Sequence, residues 1–436
     1  MSRIESPWSS RFEPLISDEE IVRRARVVLP SLIDLRNMSV EQACAQLNGY
    51  FDKIYVPTEQ GVSILRQLLQ VAHAHCTMRY GSDLDFARHV HEQSAPLPNM
   101  FPPFCLSGLP GVGKSVLMDA FRRILPERSV IRNTACNTDF PLVASWSIQI
   151  NANASPVAML SALSGLAESA VGDLLKRARN RAYRDGVSFS IADEFQFASQ
   201  SAGANANVTK LLLYLGLLGI PNIYIANFSL LRRLLRRPKE DRDRLLSRLL
   251  ILRPVPKESD DWLAMVRAYK SADPDMFVFN ERRCADELHN LTAGISRTLA
   301  RLLVLAYRNA RNSKSKVDLN AIFNAYSSTE FTLARRDVEA IARQVISSKP
   351  TKGGEDFWCP IEGGNLIQTQ TRLDASGAQV ASIYSALTRS EQQAVKLINK
   401  QLQINPCTEK VVPMKRQTKV TAEKLAEDTE WLLDGL

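Results

Sequence analysis

The sequence lacks long apolar runs, and its cysteines are few and scattered. The longest apolar stretch, near Leu211 to Ile220, is shorter than the roughly 18 residues that a membrane-spanning helix needs. Residues 1–6 also lack the apolar segment of a secretion signal. None of the seven cysteines forms a Cys-x-x-Cys pair, so neither a zinc ribbon nor a disulfide framework is indicated. We therefore expect a cytoplasmic protein.

Negative charge is in deficit, since 46 Asp and Glu residues face 55 Lys and Arg residues, for a net charge of +9. This excess favours polyanionic partners. Much of it lies in two runs, residues 176–184 and 232–239. Each run alone is consistent with a solvated helix face, but together they suggest a groove for a phosphate backbone. The candidate DNA-binding residues are Lys176, Arg177, Arg179, Arg181, Arg184, Arg232, Arg233 and Arg236.

One segment, residues 108–115, has the complete pattern of a phosphate-binding loop. It follows the apolar stretch Phe104 to Leu106 and precedes Val116 to Phe121, which is typical of the first turns of a helix. In such a loop backbone N–H groups surround phosphate oxygens, the lysine reaches the β- and γ-phosphates, and the hydroxyl residue binds Mg²⁺. The helix adds the positive end of its dipole. The predicted nucleotide-binding residues are Gly108, Pro110, Gly111, Val112, Gly113, Lys114, Ser115 and Val116, with Ser115 also a metal ligand.

Two later predicted strands end in polar residues that suit the same site. One ends in Asp193-Glu194. There Asp193 would hold Mg²⁺ through water, and Glu194 would orient and deprotonate the attacking water. An exposed acidic turn is the alternative. The other ends in Asn227, whose amide would reach the γ-phosphate or the attacking water unless it is an ordinary turn residue.

Two arginines are candidates for stabilising charge on the transferred phosphoryl group. Arg248 is predicted on a helix at the domain edge, from which it would enter a neighbouring subunit's site as an arginine finger. Arg242 and Arg244 are its rivals, and a structural salt bridge is the alternative. Arg297 begins a leucine-rich helix and would contact the γ-phosphate from above. The predicted catalytic set is Lys114, Glu194, Asn227, Arg248 and Arg297.

Apolar periodicity divides the chain into four regions. Residues 1–95 are predicted to be mostly helical, with Thr58 as the N-cap of a long helix. In residues 96–255 short apolar strands alternate with helices, which predicts an α/β domain with a parallel sheet. Residues 256–347 are predicted to form a helical lid, and 348–436 a loosely structured tail with one helix near 390–402. The predicted strands are Phe104–Leu106, Ser145–Ile150, Val187–Ala192 and Ile223–Ala226, and the predicted helices span 114–124, 156–180, 205–218 and 229–237.

Two further features are harder to assign. The end of the chain joins acidic residues 427–430 to Trp431, Leu432 and Leu433. This composition is typical of a segment that folds onto a partner, although a helix packed on its own domain is the alternative. Four histidines cluster but lack the spacing of a known metal site, so we expect them at the surface or in packing. They are His73, His75, His89 and His91.

The order of these motifs resembles that of the AAA+ ATPases. More narrowly, roughly residues 50–310 resemble the TnsC/TniB transposition regulators. That resemblance rests on the segments Phe51–Thr58, Ser145–Pro156, Asp193–Gln196, Leu217–Pro221 and Ser247-Arg248. It implies an AAA+ core with a parallel sheet flanked by helices, a small helical lid and a helical N-terminal extension. Many members of the family have Gly-Thr where this chain has Asn227-Phe228, which predicts slow or differently gated hydrolysis.

The resemblance implies an ATPase that uses ATP and Mg²⁺ and assembles as rings or helical filaments on double-stranded DNA. It further implies docking to a TniQ/TnsD-like target selector or a CRISPR complex, recruitment of transposase subunits through the C-terminal tail, and disassembly on hydrolysis. Such a protein would be associated with the bacterial nucleoid. Two alternatives stay open: another AAA+ function, such as a replication initiator, helper loader or secretion-associated ATPase, and a nucleotide-binding signalling switch without DNA binding.

Overall fold

The computed structural model describes residues 6–149, 155–166, 169–193, 204–347, 349–350 and 354–361. The elements before the phosphate loop are α1 (Pro7–Ser10), α2 (Asp18–Ala25), α3 (Val40–Lys53), α4 (Glu59–Arg79), α5 (Asp83–His91) and β1 (Phe104–Gly108). After the loop come α6 (Lys114–Ile124), β2 (Ser129–Asn133), β3 (Thr138–Leu142), β4 (Ser145–Gln149), α7 (Pro156–Ser164), α8 (Val171–Arg184) and β5 (Phe189–Asp193). The next are α9 (Ala204–Leu217), β6 (Asn222–Ala226), α10 (Phe228–Leu235), α11 (Lys239–Leu246) and β7 (Arg248–Leu252). The last are α12 (Asp260–Lys270), α13 (Glu281–Thr292), α14 (Ser296–Asn312), α15 (Leu319–Ser327) and α16 (Thr332–Ser347).

Five strands form one parallel sheet in the order β4-β5-β6-β1-β7. The central strands β1 and β6 are buried along their whole length, as expected where helices cover both faces of a parallel sheet. Their short apolar sequences suit this position, since no face of the strand meets water. β1 lies between β6 and β7, so the phosphate loop leaves the middle of the sheet. The predicted fold class, α/β with a parallel sheet flanked by helices and with helical additions, is confirmed.

The predicted strands all form, with ends within two residues of their predicted positions. The helix predicted over 156–180 is instead two helices, because Gly165 adopts a left-handed conformation that ends α7. The β2–β3 hairpin was not predicted. The helical placement of Arg248 is wrong: it begins strand β7 and pairs with Phe104 of β1. An apolar run of five residues does not distinguish a strand from a helix by periodicity, and pairing with β1 decides the outcome.

The described residues before the sheet are mostly helical, as predicted. Thr58 caps α4 by accepting a hydrogen bond from the backbone N–H of Gly61 at 3.1 Å. The apolar stripe of α4, including Leu65 and Leu68, is fully buried beneath the sheet domain. No helix in the described part of the chain is long and apolar enough to cross a membrane.

Buried apolar residues form two clusters. The first surrounds the sheet and takes in residues of α1, α2 and α4. The second fills the lid, where α12, α13, α14 and α15 pack together with α3 from the amino-terminal region. The chain therefore crosses from one cluster to the other several times. Three of these connecting segments border a cavity beside the phosphate loop. The predicted tail helix near 390–402 and the acidic end with Trp431 lie outside the described residues.

Candidate functional site

The phosphate loop connects β1 to α6 and has the conformation that its glycines allow. A Cβ at Gly108 would lie 2.3 Å from the backbone oxygen of Leu252 on the neighbouring strand, so only glycine fits there. Gly113 precedes α6 with φ of 105°, a left-handed conformation that other residues rarely adopt. The first turn of α6 thus points its N–H groups into the loop, as an anion site requires.

Backbone carbonyl groups of the loop hold the side chain of Lys114 in place. Its Nζ donates to the carbonyl oxygens of Gly108 and Leu109, at 2.9 Å each. Burial, reinforced by the positive charge of Arg297, lowers the pKa of Lys114 to about 8, while Asp193 acts in the opposite direction. The lysine is therefore still mostly charged at pH 7, in a place where an anion would gain from its charge.

A cavity of about 370 Å³ opens beside the loop and brings together most of the predicted site residues. Asp193 and Asn227 reach it from the carboxyl ends of β5 and β6, which meet at the same edge of the sheet as the loop. Asn227 also caps α10, since its Oδ1 accepts from the N–H of Leu230 at 3.0 Å. The loop residues lining the cavity are Pro110, Gly111, Val112, Gly113, Lys114, Ser115 and Val116. Glu194, the predicted base, lies outside the described residues.

The lid closes the cavity from the other side through the start of α14. The carbonyl oxygen of Gly111 accepts hydrogen bonds from Ser296 Oγ at 3.2 Å and from the backbone N–H of Arg297 at 3.3 Å. Arg297, which was predicted to contact the γ-phosphate, lines the cavity. The contact with Ser296 was not predicted, because nothing in the sequence around it distinguishes this serine from a surface residue.

Two further parts of the chain also line the cavity. One is the connection from α3 to α4, which contributes Phe51, Asp52, Ile54, Tyr55, Val56 and Thr58. The other is the lid, which contributes Met265, Tyr269 and Ala300. Sequence reasoning did not assign these residues to the site, since most of them are apolar or aromatic and look like ordinary packing residues.

Arg248 does not reach this cavity in its own chain. It is the first residue of β7, so it lies at the amino ends of the strands, whereas the loop follows the carboxyl end of β1. Its guanidinium carbon lies 4.7 and 5.0 Å from the ring centroids of Phe101 and Phe104. Burial lowers the pKa of Arg248. Its rival Arg244 is exposed on α11.

The predicted DNA-binding residues divide into exposed and internally bound groups. Arg179 donates to the carbonyl oxygens of Leu97, Pro98 and Leu217 at 2.6 to 2.9 Å, so its placement in a DNA groove is corrected. Two others are also engaged: Arg181 donates to Leu163 O, and Arg232 to Trp358 O. Arg184 is exposed but pairs with Asp185. The remaining exposed members of the predicted DNA-binding set are Lys176, Arg177, Arg233 and Arg236.

The four clustered histidines lie in different surroundings. His75 is buried, which lowers its pKa to about 3. His73 lies against Phe12, and His89 meets Tyr183 edge-on; His91 is exposed. Within the described ranges, no three His, Cys, Asp or Glu side chains come together as a metal-binding group.

No protein-family model matches the chain, and no curated protein matches its sequence. Among solved structures, it is similar to Orc1 of Aeropyrum pernix in complex with DNA, with 16% identity and a TM-score of 0.39 over 78% of this chain and 87% of that one. It is also similar to Cdc6p from Pyrobaculum aerophilum, with 13% identity and a TM-score of 0.41 over 82% and 89% of the chains. For Drosophila ORC bound to DNA the values are 14% and 0.40, over 88% and 90%. Similarity of this strength does not identify a family or a function.

Proposed function

We propose that the protein is an ATPase that binds Mg²⁺ and ATP in the cavity beside the phosphate loop. The observation that carries this proposal is that Lys114, Asp193, Asn227 and Arg297, from four separate segments, line one cavity. The Ser115 hydroxyl and the Asp193 carboxylate are oxygen ligands of the kind that Mg²⁺ prefers.

Each residue has a chemical task in this proposal. Lys114 and Arg297 stabilise negative charge on the terminal phosphates, and Asn227 orients the attacking water. Glu194, which follows Asp193 directly, is the proposed general base. Mg²⁺ held by Ser115 and Asp193 would neutralise charge on the β- and γ-phosphate oxygens.

We further propose that the ATP-bound protein oligomerises on double-stranded DNA and regulates transposition, linking a TniQ/TnsD-like selector or CRISPR complex to the transposase. The motif order and the exposed basic residues of α8 and α10 support this reading. In such an oligomer Arg248 or the exposed Arg244 would complete the cavity of a neighbouring copy. The segment ending in Trp431 would recruit the transposase.

One experiment tests both the proposed ATPase activity and the proposed role on DNA: the protein is mixed with MgATP and duplex DNA and imaged by negative-stain electron microscopy. We expect rings or filaments that need ATP and DNA, and that disassemble as phosphate is released. The Asp193→Asn variant should still bind ATP but release phosphate at least about tenfold more slowly, because a neutral amide is a weaker magnesium ligand. Phosphate release by Asp193→Asn at the parental rate contradicts the proposed site. Assemblies that form equally well without DNA contradict only the proposed role on DNA.

A second candidate is a nucleotide-binding switch that does not bind DNA. It is favoured by the internal hydrogen bonds of Arg179, Arg181 and Arg232, which engage three of the eight basic candidates within the protein. A switch predicts tight ATP binding, negligible hydrolysis and no change in electrophoretic mobility of duplex DNA. DNA-stimulated phosphate release excludes it.

A further inference from the structure

The lid contains a helix contributed by the amino-terminal half of the chain. α3 buries Leu47, Tyr50 and Phe51 in the apolar cluster of the lid helices. The ring of Phe51 lies 4.7 Å from that of Tyr269 on α12. Both residues also line the cavity, on its mostly apolar end, where a nucleoside would lie with its phosphates at the loop. That end is therefore shaped jointly by α3 and the lid.

Arg311, in the last turn of α14, holds the turn that leads into α3. Its Nη1 donates to the carbonyl oxygen of Leu35 at 2.6 Å, and its Nη2 to that of Met38 at 3.0 Å. A longer bond of 3.4 Å reaches the carbonyl oxygen of Arg36. A guanidinium presents several donors in a fixed plane, so one side chain can fix three successive parts of this turn.

The segment before that turn is tied down as well. The Tyr50 hydroxyl donates to the carbonyl oxygen of Leu29 at 2.8 Å, and the N–H of Leu32 donates to Ala272 O at 2.8 Å. Residues 29–38 thus contact both α3 and the lid, which favours motion of α3 together with the lid helices.

One helix connects this arrangement to the phosphate loop. α14 has 17 residues and is about 25 Å long at 1.5 Å per residue. Its first turn contacts Gly111 of the loop through Ser296 and Arg297, and its last turn carries Arg311. A single rigid helix therefore connects the phosphate loop to the turn that leads into α3.

We propose that Arg311 is a positioning residue for nucleoside recognition: it fixes α3 to the lid and so sets the gap that receives the nucleoside. The inference rests on the proposed ATP site. The loop and Lys114 bind the phosphates without help from α3, so loss of Arg311 should weaken ATP binding while leaving binding of a bare triphosphate intact.

Calorimetric titrations with two probes, MgATP and magnesium tripolyphosphate, test this separation. For Arg311→Ala we expect about tenfold weaker ATP binding, equivalent to about 1.4 kcal/mol, and tripolyphosphate binding within about twofold of the parent. Arg311→Lys keeps the charge but not the planar set of donors, so its ATP affinity should fall between those of the parent and Arg311→Ala. Arg301→Ala is the matched control: Arg301 lies on the same helix but is exposed and donates to one carbonyl, that of Glu330. Both probes should bind it like the parent.

Tyr50→Phe provides a milder variant should Arg311→Ala fail to fold. It removes the bond to Leu29 while keeping the ring, and should weaken ATP binding about two- to threefold with tripolyphosphate unchanged. Folded Arg311 variants that bind ATP like the parent, or that lose both probes equally, overturn this inference. A parent protein that binds no ATP would instead contradict the proposed function.

Discussion

Gly108 shows how a single residue shapes the phosphate loop. Its backbone lies so close to Leu252 of β7 that an added Cβ would meet the Leu252 carbonyl oxygen at 2.3 Å. The obstacle is backbone rather than a flexible side chain, so relief requires moving a strand. The absence of a side chain at Gly108 thus lets β7 end beside the loop, where Leu252 borders the cavity.

Gly108→Ala should lower the free energy of unfolding by about 2–4 kcal/mol, as overpacking against a fixed neighbour does. Gly49→Ala is the matched control, because nothing lies within 4 Å of an added Cβ at that helical position. It should raise the free energy of unfolding by about 0.5–1 kcal/mol. Urea denaturation followed by circular dichroism measures both. Equal effects of the two substitutions would show that Leu252 does not restrict residue 108.

The sequence pointed to polar and charged residues of the cavity lining and not to its apolar ones. Lys114, Asp193, Asn227 and Arg297 were predicted from motifs and strand ends, and the structure places all four around one cavity. Tyr269 was not predicted as a site residue, since a buried aromatic residue on a helix looks like an ordinary core residue. Its role depends on packing against α3, more than 200 residues away in the chain, which no local pattern records.

Among the elements, α4 joins the helical N-terminal region to the sheet. Gln60, in its first turn, acts like one residue of an additional strand. Its Nε2 donates to Ile251 O at 2.7 Å, and its Oε1 accepts from the N–H of Arg253 at 3.0 Å. The end of the edge strand β7 is thereby fixed next to the phosphate loop.

Gln60→Ala should destabilise the fold by about 1–3 kcal/mol, because it leaves a peptide N–H and a carbonyl without their partner. Gln67→Ala, at an exposed position of the same helix, should change stability by less than about 0.5 kcal/mol. Thermal unfolding of the two variants side by side makes the comparison. A Gln60→Ala protein as stable as Gln67→Ala would mean that water replaces both hydrogen bonds without cost.

Most element types were predictable from the sequence, and the exceptions depended on strand pairing or on a single residue. α6 spans the predicted residues, because the loop glycines and the basic last turn mark both its ends. β7 was read as helix, since Leu249 and Leu250 follow a helical stretch and only pairing with β1 makes them a strand. The α7–α8 break depended on one left-handed glycine, Gly165.

At the scale of the whole molecule, the positive charge is less available than the sequence suggests. Arg179, in the first basic run, joins α8 to residues 97–98 and to the end of α9 through its hydrogen bonds. Lys176 and Arg177, three and two residues earlier on the same helix, are exposed. One basic segment therefore contains both structural residues and candidates for DNA binding.

Replacing Lys176 and Arg177 together by alanine should weaken duplex DNA binding and reduce the slope of log affinity against log salt by about 2, as the loss of two phosphate contacts predicts. Stability should stay within about 0.5 kcal/mol of the parent. Arg179→Ala should do the reverse, costing about 2–3 kcal/mol of stability while leaving the slope unchanged. Fluorescence anisotropy at several salt concentrations, with urea denaturation, measures both. A slope lowered by Arg179→Ala alone would contradict this division.

The measurement that most directly tests the whole account is calorimetric titration of MgATP into the parent protein and into Lys114→Ala, with Lys176→Ala as a surface-lysine control. We expect saturable binding by the parent and the control, and affinity at least about 100-fold weaker for Lys114→Ala, because a partly buried cation facing the phosphates is lost. A parent that takes up no ATP, or a Lys114→Ala protein that binds it equally well, would contradict the central claim that this cavity holds a nucleoside triphosphate.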